Sequence, residues 1–166
     1  LMFIDFIGVC MDQLVNNAAK MRYMFGGQVK VPFTMMTRIG AGFGAAAQHS
    51  ESYYSIFSHF PGLKGVVPSD AYTAKGLLAA SIRDDDPVMF FEDSLVFGDR
   101  AHVPEGDYTI PMGVADVKRQ GGDLTFIAYG AMVHRCLEAA EELANDGLSA
   151  EVLDLRTVSP IDWEAV

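Results

Sequence analysis

Residues 63–92 read LKGVVPSDAYTAKGLLAASIRDDDPVMFFE, and the punctuation of this stretch decides the fold. Leu63 to Val67 is a brief apolar run of strand length. Ser69 follows as a helix cap, and the helix it opens is predicted to run through Arg83. Asp84, Asp85, Asp86 and Pro87 then turn the chain, because the residue before a proline is pushed out of the helical region. Val88 to Glu92 is strand again. Upstream, Ile7, Met11, Leu14, Ala18, Met21 and Phe25 recur at steps of four and three, which predicts one continuous amphipathic helix closed by Gly26 and Gly27. Val31 to Arg38 is read as a buried strand, IGAGFGAAA (39–47) as its loop, and Ser50 to Phe60 as a helix ended by Pro61 and Gly62. Downstream, Asp93 to Pro111 has no period and reads as a linker or long loop. Gly113 to Arg119, the turn QGGD, the strand LTFIAYG (124–130), a helix from Met132 to Asn145 and the strand AEVLDL (150–155) complete the pattern. Strands alternating with helices predict an α/β fold with parallel sheets covered on both faces.

The chain has 166 residues, enough for one domain or for one and part of a second. Half of them are apolar and mean hydropathy is +0.17, so a packed interior is affordable and general disorder is excluded. Twelve basic against 22 acidic residues leave a net charge of -10, which repels a phosphate backbone and an anionic membrane. Nucleic acid and membrane are therefore not expected partners. Cys10 and Cys136 lie far apart with no ligand spacing, which predicts neither a disulfide scaffold nor a zinc site and suits a reducing cytoplasm. Asp5 interrupts the opening LMFIDFIGV, so a signal peptide is not expected. Leu1 is not an initiator and SPIDWEAV (159–166) reads as the opening turn of a helix, so both ends are expected to be cuts through a longer polypeptide.

Few residues single themselves out by chemistry alone. Gly40, Gly42 and Gly44 follow a predicted strand, but their spacing fits neither the dinucleotide fingerprint nor a phosphate loop, and a tight connection is the simpler reading. What that connection presents is Gln48-His49-Ser50, an imidazole placed at the end of the sheet. His59, His102 and His134 take structural or surface readings. Phe3, Phe6, Tyr23 and Phe25 have the shape to wall a flat ligand, although core packing accounts for such residues more simply. Asp84 to Asp86 offers oxygens to a hard cation, or is a solvated turn. Lys20 and Arg22 suit the end of a helix dipole.

Three longer strings carry more. DFIGVCMDQLVNNAAKMRYMFGGQ (5–28), GAAAQHSESYYSIFSHFPGLKGVVPSDAYTAKGLLAASIRDDDPVMFFE (44–92) and VPEGDYTIPMGVADVKRQGGDLTFIAYGAMV (103–133) with AEVLDLRTVSPID (150–162) occur in order. Together they resemble the beta subunit of the thiamine-diphosphate-dependent decarboxylating component of 2-oxo acid dehydrogenase complexes. The opening LMFIDFIGVC and RYMFGG are most similar to the acetoin branch, with the pyruvate and branched-chain types next. The resemblance implies a transketolase-like pyrimidine-binding domain over 1–100, a linker over 101–116 and the start of a transketolase C-terminal domain over 117–166.

It also implies a cofactor, thiamine diphosphate, lying between alpha and beta subunits, with magnesium and diphosphate held by the alpha subunit. Phe6 matches the aromatic residue that packs on the pyrimidine, and His49 matches the active-site histidine of the Gln-His-Ser motif, suited to proton delivery during acyl transfer to lipoyl. Phe33, Ser81, Ile82, Asp84 and Asp86 fall where family members bind a structural potassium ion, mostly through carbonyls. Asp86 stands where asparagine is common, which adds a charge that attracts a cation or, without one, repels its neighbours. Glu51 replaces the usual glutamine, and Asp93 also departs from the pattern. The glutamate that engages the pyrimidine is expected upstream of Leu1, so the chain alone is expected to be inert. Implied partners are the alpha subunit, a second beta subunit and a lipoyl-bearing acyltransferase. The rival readings are a transketolase or deoxyxylulose phosphate synthase relative, and a noncatalytic assembly subunit.

Overall fold

A computed structural model describes residues 1–166. Seven strands form two sheets. In the first, β1 (Thr34–Ile39), β3 (Val88–Asp93) and β2 (Lys64–Val66) lie parallel in the order β1-β3-β2, with β7 (Thr157–Ser159) antiparallel on β2. In the second, β5 (Leu124–Ala128) is parallel to β6 (Ala150–Asp154), and β4 (Asp116–Arg119) is antiparallel to it. The crossover segments are α2 (Tyr54–His59) and α3 (Ala71–Ile82) in the first half, and α4 (Met132–Asn145) in the second. The α/β reading stands, with strands at each sheet's edge that run against the parallel set. Leu155 and Arg156 alone join β6 of the second sheet to β7, which pairs with β2 of the first at Gly65–Ser159 and Val66–Thr157.

The N-terminal stripe does not form one uniform helix. The chain winds as 3₁₀ turns over Ile4–Cys10, as π turns over Gln13–Ala18 and as α1 over Ala19–Met24. Each winding changes the angular step. The buried residues become Ile4 and Ile7, three apart, and then Leu14 and Val15 with Ala19 five and four residues beyond them. Met11, Ala18 and Met21 are left half-buried, and Phe25 is exposed. The end of this segment does follow expectation. Gly26 and Gly27 are left-handed at φ 62° and 81°, the Gly27 N–H bonds the Arg22 carbonyl at 2.8 Å, and the Gly26 N–H bonds that of Tyr23 at 3.1 Å. This is a Schellman close.

The cap of α3 is displaced by one residue from its predicted position. Asp70, not Ser69, accepts the Thr73 N–H at 2.7 Å, and Thr73 Oγ1 accepts the Asp70 N–H at 3.1 Å, a reciprocal capping box. Ser69 is occupied elsewhere. Its hydroxyl donates to Asp154 Oδ2 at 2.5 Å, and its carbonyl faces His134 Nε2 at 2.7 Å. Lys118 closes the group by reaching Asp70 at 2.9 Å and Asp116 at 3.1 Å, while Arg156 bonds Asp116 at 2.7 Å. Asp93 adds a second tie, with Oδ2 accepting the Ala131 N–H at 2.9 Å, where α4 begins. Polar contacts thus join the ends of the first sheet to the second sheet and its helix.

Burial opposes the charge on Asp70, but the Thr73 bonds and Lys118 overcome it and hold its pKa below the ordinary value. A carboxylate whose folded pKa is depressed adds stability above its unfolded pKa and loses it as pH falls through the folded one. Asp70→Ala is therefore expected to lower the unfolding free energy by about 1–2 kcal/mol near pH 7, with the deficit shrinking below about pH 4, as read by urea unfolding at both pH values.

Candidate functional site

β1 ends at Ile39, and the chain must return from the carboxyl end of the sheet without blocking it. The Gly40 N–H bonds the Glu51 carbonyl at 3.0 Å, and Ala41 N–H bonds Ser52 Oγ at 3.4 Å, so the loop folds back on its own stem. A Cβ at position 40 would sit 2.1 Å from the His49 carbonyl oxygen, which makes glycine a steric requirement there. Ala46 is left-handed at φ 64°, a strained conformation for alanine, and its carbonyl accepts both the His49 N–H at 3.3 Å and the Ser50 hydroxyl at 2.8 Å. The imidazole that follows that tight turn is half-buried.

The His49 ring stands edge-on to two phenylalanines, 4.7 Å from the Phe3 centroid and 5.4 Å from that of Phe6, at 78° and 76°. Phe3 is 8% exposed and Phe6 43%, so one ring backs the imidazole while the other opens to solvent. Phe3 also bridges to Arg38 on β1, whose guanidinium lies 5.5 Å from the Phe3 centroid and 4.3 Å from that of Phe97. The structure therefore brings Phe6 and His49 together from opposite ends of the first sheet's connections. Phe3, which the sequence offered as a ligand wall or, more simply, as core, joins them, as does Asp5, whose Oδ1 accepts the Glu51 N–H at 3.3 Å and which sequence reasoning did not single out as a site residue. Core packing explains Phe3 but not Tyr23, which is 90% exposed, nor Phe25.

Behind the loop lies a cavity of about 160 Å³ lined by Ser52, Tyr54, Asp93 and Tyr129 among others. Burial, reinforced by the Tyr54 hydroxyl, pushes Tyr129 up to about 12, so its phenol stays protonated and serves as a hydrogen-bonding group, not a base.

The residues named for potassium lie around the acidic turn, where the carboxylates already have cations. Asp84 accepts from Lys64 Nζ at 2.7 and 2.8 Å, Asp86 from Arg22 at 2.6 Å, and Lys64 also lies 3.3 Å from Asp86. Asp85 pairs with Lys30 at 2.8 Å. The extra charge at position 86 is thus met by two basic side chains, and Arg22 serves this turn more directly than it serves a helix dipole. Burial raises the Asp86 pKa, but bonds from Arg22 and Lys64 outweigh it and hold the group low. The buried Ser81 hydroxyl donates to Leu77 O at 2.7 Å, and the Phe33 carbonyl accepts the Val88 N–H at 2.8 Å. Ile82 is exposed, and no three His, Cys, Asp or Glu side chains converge in a metal-binding group.

The structure is thus a parallel α/β sheet with a histidine and an open aromatic face at its carboxyl end, the end at which sheets of this class bind their ligands. The chain belongs to the transketolase pyrimidine-binding domain family, which matches residues 1–95, and the transketolase C-terminal domain matches residues 113–166. It is 57% identical over 166 residues to the acetoin:2,6-dichlorophenolindophenol oxidoreductase subunit beta of Bacillus subtilis (strain 168), covering all of this chain and 48% of that protein. It is 48% identical over 165 residues to the 2-oxoisovalerate dehydrogenase subunit beta of the same organism, covering 99% and 50%. Among solved structures, a split-gene transketolase described as an inactive beta4 tetramer aligns with a TM-score of 0.77 at 25% identity, covering 99% of this chain and 50% of that one. The chain spans about half the length of the curated relatives it matches.

The unequal exposure of the two rings sets their energetic roles apart. Phe3→Ala is expected to destabilise the fold by about 3–5 kcal/mol and Phe6→Ala by less than about 1 kcal/mol, as measured by chemical denaturation.

Proposed function

We propose that this chain supplies the aminopyrimidine side of a thiamine diphosphate site in the beta subunit of an acetoin-cleaving dehydrogenase. The observation that carries the reading is the His49 imidazole held edge-on between buried Phe3 and open Phe6. An exposed phenylalanine face beside a half-buried histidine fits a flat heteroaromatic ring that covers the apolar surface and leaves the imidazole at its edge. The acetoin branch is favoured over a branched-chain 2-oxo acid because identity is higher to the relative named for acetoin, 57% against 48%.

When bound, thiamine diphosphate supplies a carbon nucleophile for a carbonyl and a sink for the electrons of the broken carbon–carbon bond. The chain's own residues do the rest. Phe6 stacks on the pyrimidine ring, and Phe3, braced by Arg38, keeps water from the back of the imidazole. As the two-carbon unit bonds to one sulfur of a lipoyl disulfide on an acyltransferase partner and the S–S bond breaks, His49 delivers a proton to the sulfur that is released. Magnesium and the diphosphate belong to an alpha subunit, and a second beta subunit completes the assembly. At the acidic turn Lys64 and Arg22 already neutralise Asp84 and Asp86, so a potassium ion there would rest on carbonyl oxygens of the Phe33, Ser81 and Ile82 set, not on the carboxylates. No helix is long and apolar enough to cross a membrane. The two free cysteines suit the reducing cytoplasm proposed for this chain. The split-gene transketolase neighbour favours one second reading, a transketolase relative acting on sugar phosphates.

The full-length protein co-expressed with its alpha partner is expected to reduce 2,6-dichlorophenolindophenol with acetoin in a thiamine-diphosphate-dependent reaction, and more slowly with 2-oxoisovalerate. His49→Ala is expected to lower acyl transfer to lipoyl about 100-fold or more. Parental rates in that variant would remove His49 from the chemistry. Ketol transfer between sugar phosphates without an acyltransferase would favour the transketolase reading, and no turnover with any of these substrates would favour an assembly subunit.

A further inference from the structure

The loop that carries His49 runs from Gly40 to Ser52 with no regular structure of its own, so the ring's position depends on where that loop is pinned. One residue is held at both of its backbone polar atoms. The carbonyl of Glu51 accepts the Gly40 N–H at 3.0 Å, and the N–H of Glu51 donates to Asp5 Oδ1 at 3.3 Å. Glu51 lies two residues beyond His49, and Asp5 lies between Phe3 and Phe6, the two rings against which the imidazole rests. The hydrogen bond therefore joins the loop to the segment that forms the wall.

The second oxygen of Asp5 makes the choice of residue informative. Oδ2 is buried and has no hydrogen-bond partner, an arrangement that costs stability and that an apolar side chain would avoid. A carboxylate kept there despite that cost has its use in Oδ1. We propose that Asp5 is a positioning residue, clamping the Glu51 peptide so that the His49 imidazole stays edge-on between Phe3 and Phe6. This rests on the reading of His49 given above. It predicts that the clamp acts through geometry, so an amide that keeps one acceptor oxygen serves nearly as well as the acid. Small misplacements of a reacting group cost rate steeply, up to about 100-fold for an ångström.

The test uses the full-length protein assembled with its alpha partner. Hydrogen exchange resolved to the Glu51 amide is expected to quicken at least about tenfold in Asp5→Ala, and to stay near the parent in Asp5→Asn. Turnover with acetoin is expected to fall about tenfold or more in Asp5→Ala with KM within about twofold, and to recover to within about threefold of the parent in Asp5→Asn. Asp5→Leu fills the buried volume without an acceptor and stands in for the alanine variant if that fails to assemble. Unchanged Glu51 exchange without the acceptor overturns the clamp, as does an asparagine variant no better than alanine. Faster exchange with parental turnover overturns its bearing on His49. If the parent assembly itself shows no thiamine-diphosphate-dependent turnover, the functional reading fails, and the exchange measurement still decides the clamp.

Discussion

The carboxylate of Asp154 is fully buried, and the two halves of the chain meet around it. Burial pushes its pKa up, against the pull of the Ser69 hydroxyl, the Arg156 N–H, Lys118 and the Arg156 guanidinium. An isolated charge in that position would cost several kcal/mol, so the arrangement persists only because each neighbour supplies a donor or an opposite charge. Those neighbours are drawn from both halves: Ser69 from the approach to α3, Lys118 from β4 and Arg156 from the turn after β6. That same turn, with Arg156 at φ 58°, swings the chain out of the second sheet to pair β7 with β2 of the first. The union of the sheets and the satisfaction of one buried carboxylate are therefore a single constraint.

The candidate site obeys a similar rule on a smaller scale. A parallel strand ending in an open mouth must return its chain without leaving backbone groups unpaired or filling the mouth. Gly40 meets the first demand by allowing the His49 carbonyl to pass within a distance no side chain tolerates. Ala46 adds a left-handed turn whose carbonyl accepts the His49 N–H and the Ser50 hydroxyl. Phe3, Phe6 and His49 then form an aromatic corner at the strand termini, far from the charged turn where Arg22, Lys30 and Lys64 gather three aspartates. The apolar corner suits a flat ring, and the turn is an electrostatic joint between β2, the N-terminal segment and the end of α3.

Much of this was legible in the amino-acid order. Met132–Asn145 was predicted with its observed bounds because a long amphipathic pattern ending at Asn-Asp-Gly reports its own limits, and β3 was read within one residue because Pro87 and the acidic triplet mark its start. His49 drew notice by its place after the glycine loop, and the roles expected of it and of Phe6 came from the strings that resemble a known family. Asp5 was missed, since an aspartate between apolar residues announces only that something must accept its charge, and Phe3 was given to core packing before the structure set it beside the imidazole.

Local sequence, then, determined the alternation of strands and helices and the glycine close of α1, because each rests on periodicity or backbone freedom within a few residues. Only the tertiary structure decided the rest. The cap moved from Ser69 to Asp70 because Ser69 has a partner 85 residues away. The three-residue β7 is too short to carry a period and exists because β2 offers an edge. Asp5 clasps Glu51 across 46 residues, a separation over which no pattern in the chain can register a hydrogen bond.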